Sequence, residues 1–217
     1  MDQTALKPMS VKPLLRGHFH QAMFFVALGA CVPLLARCET FPEAVAITIY
    51  TVCTLALFGI SSLYHRLNWT PARRQLWRKL DHAGIYLMIA GSFTPVALLG
   101  LGESSGMKLR LTIWSVALAG IIQSMFFVNI PKMVSAIVYL GAGYLILPYI
   151  TELNASLGPT NIGLIVAGGL AYTAGALSYG LKRPKLSPRY FGYHEVFHIL
   201  VNCGAILHFI VISSLID

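Results

Sequence analysis

The sequence falls into runs of about twenty mostly apolar residues joined by short polar links. At 1.5 Å per residue, such a run matches the roughly 30 Å hydrocarbon core of a bilayer, so each reads as a membrane-crossing helix. Seven runs lie at about 19–37, 44–65, 81–101, 110–129, 132–151, 160–181 and 194–215. The expected fold is all-α: a single seven-helix transmembrane domain over 19–217, preceded by a tail over 1–18. Composition argues against a soluble chain. Only 11% of the 217 residues are charged and 56% are hydrophobic, against about 25% charged in soluble domains. The first run, "AMFFVALGACVPLLA", is the weakest and follows a basic tail, as a cleaved signal peptide would. No small-x-small site precedes Arg37, so a retained helix is expected.

The net charge of +8 raises the question of nucleic acid. The basic residues are scattered between apolar runs and form no extended face, so no nucleic-acid partner is expected. They read instead as topology signals. With the N-terminus in the cytoplasm, thirteen of the 16 Lys and Arg fall on that side, in the tail (Lys7, Lys12, Arg16), the link 66–79, Lys132 and the link 182–189. Only Arg37, Lys108 and Arg110 fall opposite. The positive-inside rule therefore predicts a cytoplasmic N-terminus and an outside C-terminus. Cys31, Cys38, Cys53 and Cys203 form no CxxC pair and read as packing residues, not disulfides or ligands.

Ionisable residues inside membrane runs are costly and point to function. The second run ends "GISSLYHR", with Ser61 and His65 one turn apart. The third opens "LDHAGIYLMIAGSFTP", with Asp81 and His82 at its head. The seventh opens "YHEVFHILVNCGAILHF", with His194, Glu195, His198, Asn202 and His208. In the expected topology run two ends where runs three and seven begin. Ser61, His65, Asp81, His194 and His198 then share one depth, in the cytoplasmic half of the bilayer.

His194 and His198 are i,i+4, on one helix face about 6 Å apart in rise. That spacing suits two imidazoles on one zinc ion, and the letters H-E-V-F-H match the HExxH pattern. His65 offers a third nitrogen, and Asp81 competes with Glu195 as the acid. Blander readings stand beside these. The two histidines of run seven can be interfacial, His65 can mark a helix end, Asp81 can be an N-cap, and Ser61 can be a packing residue. His82 points away from Asp81. His208, ten residues past His198, lies about 15 Å away along the axis, too far for the same metal, and suits an interhelical hydrogen bond. Asn202 lies near the His198 face and suits support of a ligand. Glu195 faces a neighbour or the interface.

At these residues the chain resembles a known family. "SSLYHR", "LDHAGIYLMIAGSFTP" and "HEVFHILVNCGAILHF" are similar to the three motifs of the bacterial hemolysin III proteins. Those belong to the progestin and adipoQ receptor superfamily, with the adiponectin receptors and, more distantly, the alkaline ceramidases. The resemblance covers all seven runs. It implies Zn2+ bound by His65, His194 and His198, with Asp81 holding or activating the zinc water and Ser61 as a substrate or oxyanion contact. It implies a multi-pass protein of the inner (plasma) membrane. It also implies hydrolysis of an amide bond in a ceramide-like membrane lipid, with zinc-bound water as nucleophile. No soluble protein partner is implied. Two alternatives remain open: a non-catalytic membrane-homeostasis sensor or receptor-like protein with a structural or regulatory zinc, and a cytolysin-like activity implied by the family name.

Overall fold

The computed structural model describes residues 13–127, 129–187 and 189–216. Lys7, Lys12 and Asp217, and most of the expected tail, lie outside the described residues. Within them the chain is helical: α1 His18–Ala36, α2 Phe41–Arg66, α3 Pro71–Leu99, α4 Glu103–Phe126, α5 Lys132–Gly143, a 3₁₀ turn Tyr144–Tyr149, α6 Ile150–Leu181 and α7 Tyr193–Ser213. A reciprocal capping box fixes the start of α2: Thr40 Oγ1 accepts from the Glu43 N–H, and the Glu43 carboxylate accepts from the Thr40 N–H.

Six helical stretches are long and apolar enough to cross a bilayer, rather than the seven expected. The difference falls at runs five and six. The link expected between them is helical up to Gly158, because "ELNASL" is rich in helix formers. The 3₁₀ turn therefore joins α5 and α6 in one 50-residue stretch, Lys132–Leu181. A straight helix of that length would reach about 75 Å, more than twice the hydrocarbon core. The stretch is not straight. Gly158 stands at φ 79°, ψ 165°, a backbone state that favours glycine, and Pro159 follows it. The chain folds back across this break. The Lys132 ammonium lies 4.3 Å from the centre of the Tyr179 ring, so the start of α5 meets the end of α6.

From α1 to α4 and from α5 to α7 successive helices pack side by side, and α1 closes against α7. The most enclosed helix is α3, which touches α2, α4, α5 and α7 and has 67% of its membrane-length window buried. It begins at Pro71, ten residues before the apolar run, because "PARRQLWRKL" carries proline at the first turn and strong helix formers after it. Asp81 consequently sits nearly three turns inside the helix, and the N-cap reading of Asp81 is overturned. α2 and α3 approach closely further along the pair. A Cβ on Gly91 would fall 2.4 Å from the Cβ of Cys53. The four cysteines are free; Cys31 and Cys53 pack inside, whereas Cys203 is exposed on the outer face of α7.

Candidate metal centre

Two helix ends and one helix interior build the site. His65 comes from the last turn of α2, Asp81 from α3, and His194 and His198 from the first two turns of α7. The three histidines are buried, and each offers a ring nitrogen within 4.8 Å of the others. The His65 and His194 Nε2 atoms stand 3.2 Å apart. Two nitrogens each about 2.05 Å from one tetrahedral zinc would be separated by about 3.3 Å. The donor set of three imidazoles beside a carboxylate thus fits the ion in chemistry, and the His65–His194 pair fits it in spacing.

Asp81 and Ser61 complete the cluster. An Asp81 carboxylate oxygen lies 3.5 Å from His65 Nε2. The Ser61 hydroxyl is buried beside that carboxylate. The structure therefore brings together all five residues that depth alone had levelled. Ser61, Asp81, His194 and His198 line the polar end of an otherwise mostly apolar cavity of about 220 Å³, walled by residues of α1, α2, α3, α5, the 3₁₀ turn, α6 and α7. Its lining follows α7 from His194 to His208, about 21 Å of helix.

Other polar residues of the three motifs go elsewhere. Asn202 donates through Nδ2 to the carbonyl of Phe19 at 3.0 Å, so it ties α7 to α1 and is not bonded to a candidate ligand. His82 pairs with the Tyr139 hydroxyl at 2.9 Å. His208 meets the carbonyl of Ile165 at 3.2 Å, the interhelical bond expected of it. Glu195 is buried inside the bundle, not set on the cavity. Its carboxylate accepts from the Gly192 N–H at 2.7 Å, capping α7, and pairs with Arg16 before α1. Glu195 is thus committed to Gly192 and Arg16 and does not line the cavity with His194 and His198.

The Arg16–Glu195 pair carries a testable consequence. Removing Arg16 leaves a buried carboxylate uncompensated, which typically costs about 3–5 kcal/mol. Arg16 is 21% exposed, so Arg16→Met should lose about 3 kcal/mol, the lower end of that range. The measurement is thermal unfolding in detergent. An unchanged midpoint would mean that water already solvates Glu195.

His20 is the residue that sequence reading missed. It is buried, stacks on His198 and lines the cavity. Its placement follows from Gly17, which turns the chain into α1 at φ 84°. A Cβ there would fall 2.7 Å from the Cβ of His65, so the start of α1 passes directly over the end of α2. The depth argument, extended to the first run, places His20 at the level of the other five.

The described cluster lies within the region shared with known proteins. Residues 9–209 match the profile described as "Haemolysin-III related". The chain belongs to this family. Among relatives of this haemolysin-III-related chain, "Hemolysin-3" of Bacillus cereus is 33% identical over 170 residues, covering 78% of this chain and 74% of that protein. "Monocyte to macrophage differentiation factor" of Homo sapiens is 27% identical over 172 residues, covering 77% and 68%. "Adiponectin receptor protein" of Drosophila melanogaster is 25% identical over 231 residues, covering 94% and 52%. Family membership and six apolar helical stretches make the chain a multi-pass membrane protein.

Proposed function

We propose that this protein is a zinc-dependent hydrolase that cleaves an amide bond in a membrane lipid. The observation that carries the reading is the juxtaposition of three converging histidines, one carboxylate and one long apolar cavity. His65, His194 and His198 would hold the ion. A zinc ion bound there supplies a Lewis acid and lowers the pKa of a coordinated water towards about 7. Asp81 is the residue that moves protons: its carboxylate takes one from the attacking water and returns it to the leaving amine. Ser61 orients the substrate carbonyl by hydrogen bonding. The cavity walls hold the acyl chain and keep bulk water away from the reacting end. Substrate enters sideways, between helices, because its chain is already in the bilayer.

The same reading includes the topology. We place seven crossings in the inner membrane, with the 50-residue stretch turning back at Gly158, the N-terminus in the cytoplasm and the C-terminus outside. The thirteen-to-three distribution of Lys and Arg supports this orientation, and the contact of Lys132 with Tyr179 supports the reversal. The metal centre then faces the cytoplasmic half of the bilayer.

A second reading has its own support. The histidines bridge α2 and α7, so an ion there would clasp two helices remote in sequence, as suits a membrane sensor. One relative is named a receptor. The hydrolase is tested by incubating the purified, zinc-replete protein with a panel of N-acyl amide lipids. Release of free fatty acid that a chelator abolishes is expected. Absence of release across the panel would reject the hydrolase in favour of the sensor. The cytolytic activity implied by the name "Hemolysin-3" is read in parallel, as red-cell lysis by the same preparation.

A further inference from the structure

His20 stands beside the metal centre without belonging to it. Its ring lies flat on His198, with centroids 3.7 Å apart and planes 5° apart, and Phe58 meets it edge-on at 5.2 Å. The parallel stack excludes His20 as a ligand to the same ion. An imidazole binds a metal through a lone pair in its own ring plane. An ion in the plane of His198 therefore lies over the face of His20, where no lone pair points. The converging nitrogens come from His65, His194 and His198.

Yet His20 is only 2% exposed, and both ring nitrogens are buried without a hydrogen-bond partner among the described residues. A neutral imidazole always presents one donor and one acceptor. Leaving both unpaired is costly, and a buried orphan of this kind calls for a partner the protein does not itself supply. Packing alone does not account for the residue, since a phenylalanine would fill the slot between Phe58 and His198 at no polar cost. The partner must come from the cavity, whose wall His20 shares with Ser61, Asp81, His194 and His198. Beyond this end the wall is mostly apolar, so an occupant that satisfies both ends is an amphiphile. A neutral imidazole can donate to, or accept from, a hydroxyl and can donate to a carbonyl, so an uncharged oxygen at the head suffices.

We infer that His20 is a ligand-binding residue: a ring nitrogen hydrogen-bonds an uncharged oxygen, carbonyl or hydroxyl, at the head of an amphiphile whose chain fills the cavity. The inference rests on the cavity as the lipid site and is independent of turnover. It names a contact on α1, a helix that contributes no candidate metal ligand.

The test compares radiolabelled 1-hexadecanol and hexadecane, which differ in a single oxygen, on zinc-loaded protein in detergent. Wild type should prefer the alcohol. His20→Phe keeps the ring stacked on His198 but removes both nitrogens, and should weaken alcohol binding roughly tenfold while leaving alkane binding within about twofold. His20→Gln, which restores a donor and an acceptor, should recover part of the preference. Zinc content, read by mass spectrometry, should match wild type in both variants. The inference is overturned if wild type shows no preference, if His20→Phe keeps it, or if His20→Phe loses zinc, which would make the stack a support for His198. Failure to hydrolyse N-acyl lipids would sink the hydrolase and leave this result intact, because neither probe carries a bond to be hydrolysed.

Discussion

Replacing His194 with alanine is expected to leave the purified protein without stoichiometric zinc. His194 Nε2 stands 3.2 Å from His65 Nε2, and both are buried members of the set of three converging histidines. Loss of a residue that merely orients a ligand typically costs 10–100-fold in metal affinity. Loss of one of three direct ligands should exceed that, by roughly a hundredfold or more. Two readouts separate this from simple misfolding. Wild type at about 100 times its Kd of free zinc should gain about 2.7 kcal/mol of stability, and the His194→Ala midpoint should no longer respond to zinc. The control is Asn202→Ala. Asn202 holds the carbonyl of Phe19 and not a ligand, so that variant should keep its zinc while loosening α1 from α7. Full zinc occupancy in His194→Ala would refute the centre.

Much of this arrangement is legible in the sequence because a bilayer imposes simple rules. Apolar length alone gives α1, α2, α4 and α7 to within a few residues at most ends, since backbone polar groups in lipid must be satisfied within a helix. Depth then levels Ser61, His65, Asp81, His194 and His198, and the structure shows that they also converge. What hydropathy cannot see is helix that continues beyond the membrane. The segment Pro71–Leu80 is polar, so the start of α3 is invisible to an apolar count, and Asp81 looks like a cap when it lies mid-helix. The stretch "ELNASL" fails the other way: its few polar residues look like a loop, but its propensity is helical up to Gly158.

The individual side chains are harder still. Asn202 and His198 are four apart, which places both near one face of α7, but spacing does not say which neighbour that face meets. The start of α1 occupies that side, so Asn202 finds Phe19, and His198 finds His20. Similarly, the letters H-E-V-F-H do not reveal that Arg16, 179 residues away, claims the glutamate. Partner choice across helices remote in sequence is a property of the packed bundle, whereas depth belongs to each helix separately.

The substitution that divides enzyme from sensor is Asp81→Asn. The change is isosteric, so the amide still fills the space beside His65 and Ser61 and still presents an acceptor oxygen. It removes the charge and the ability to take a proton. If Asp81 serves as the proton-transfer group, zinc content should stay within about twofold of wild type while turnover falls by roughly 10²–10⁴. That loss corresponds to about 2.7–5.4 kcal/mol of transition-state stabilisation. A sensor whose ion only clasps α2 to α7 would keep both zinc and signalling output, because neither needs a base. The 3.5 Å separation of the Asp81 carboxylate from His65 Nε2 also makes a third outcome readable. A direct fourth ligand would sit at about the same distance from a neighbouring ligand atom, and its loss would lower zinc content together with turnover. Retained zinc with abolished turnover therefore identifies Asp81 as the acid–base group. Retained turnover removes it from the chemistry, and lost zinc reassigns it to the metal.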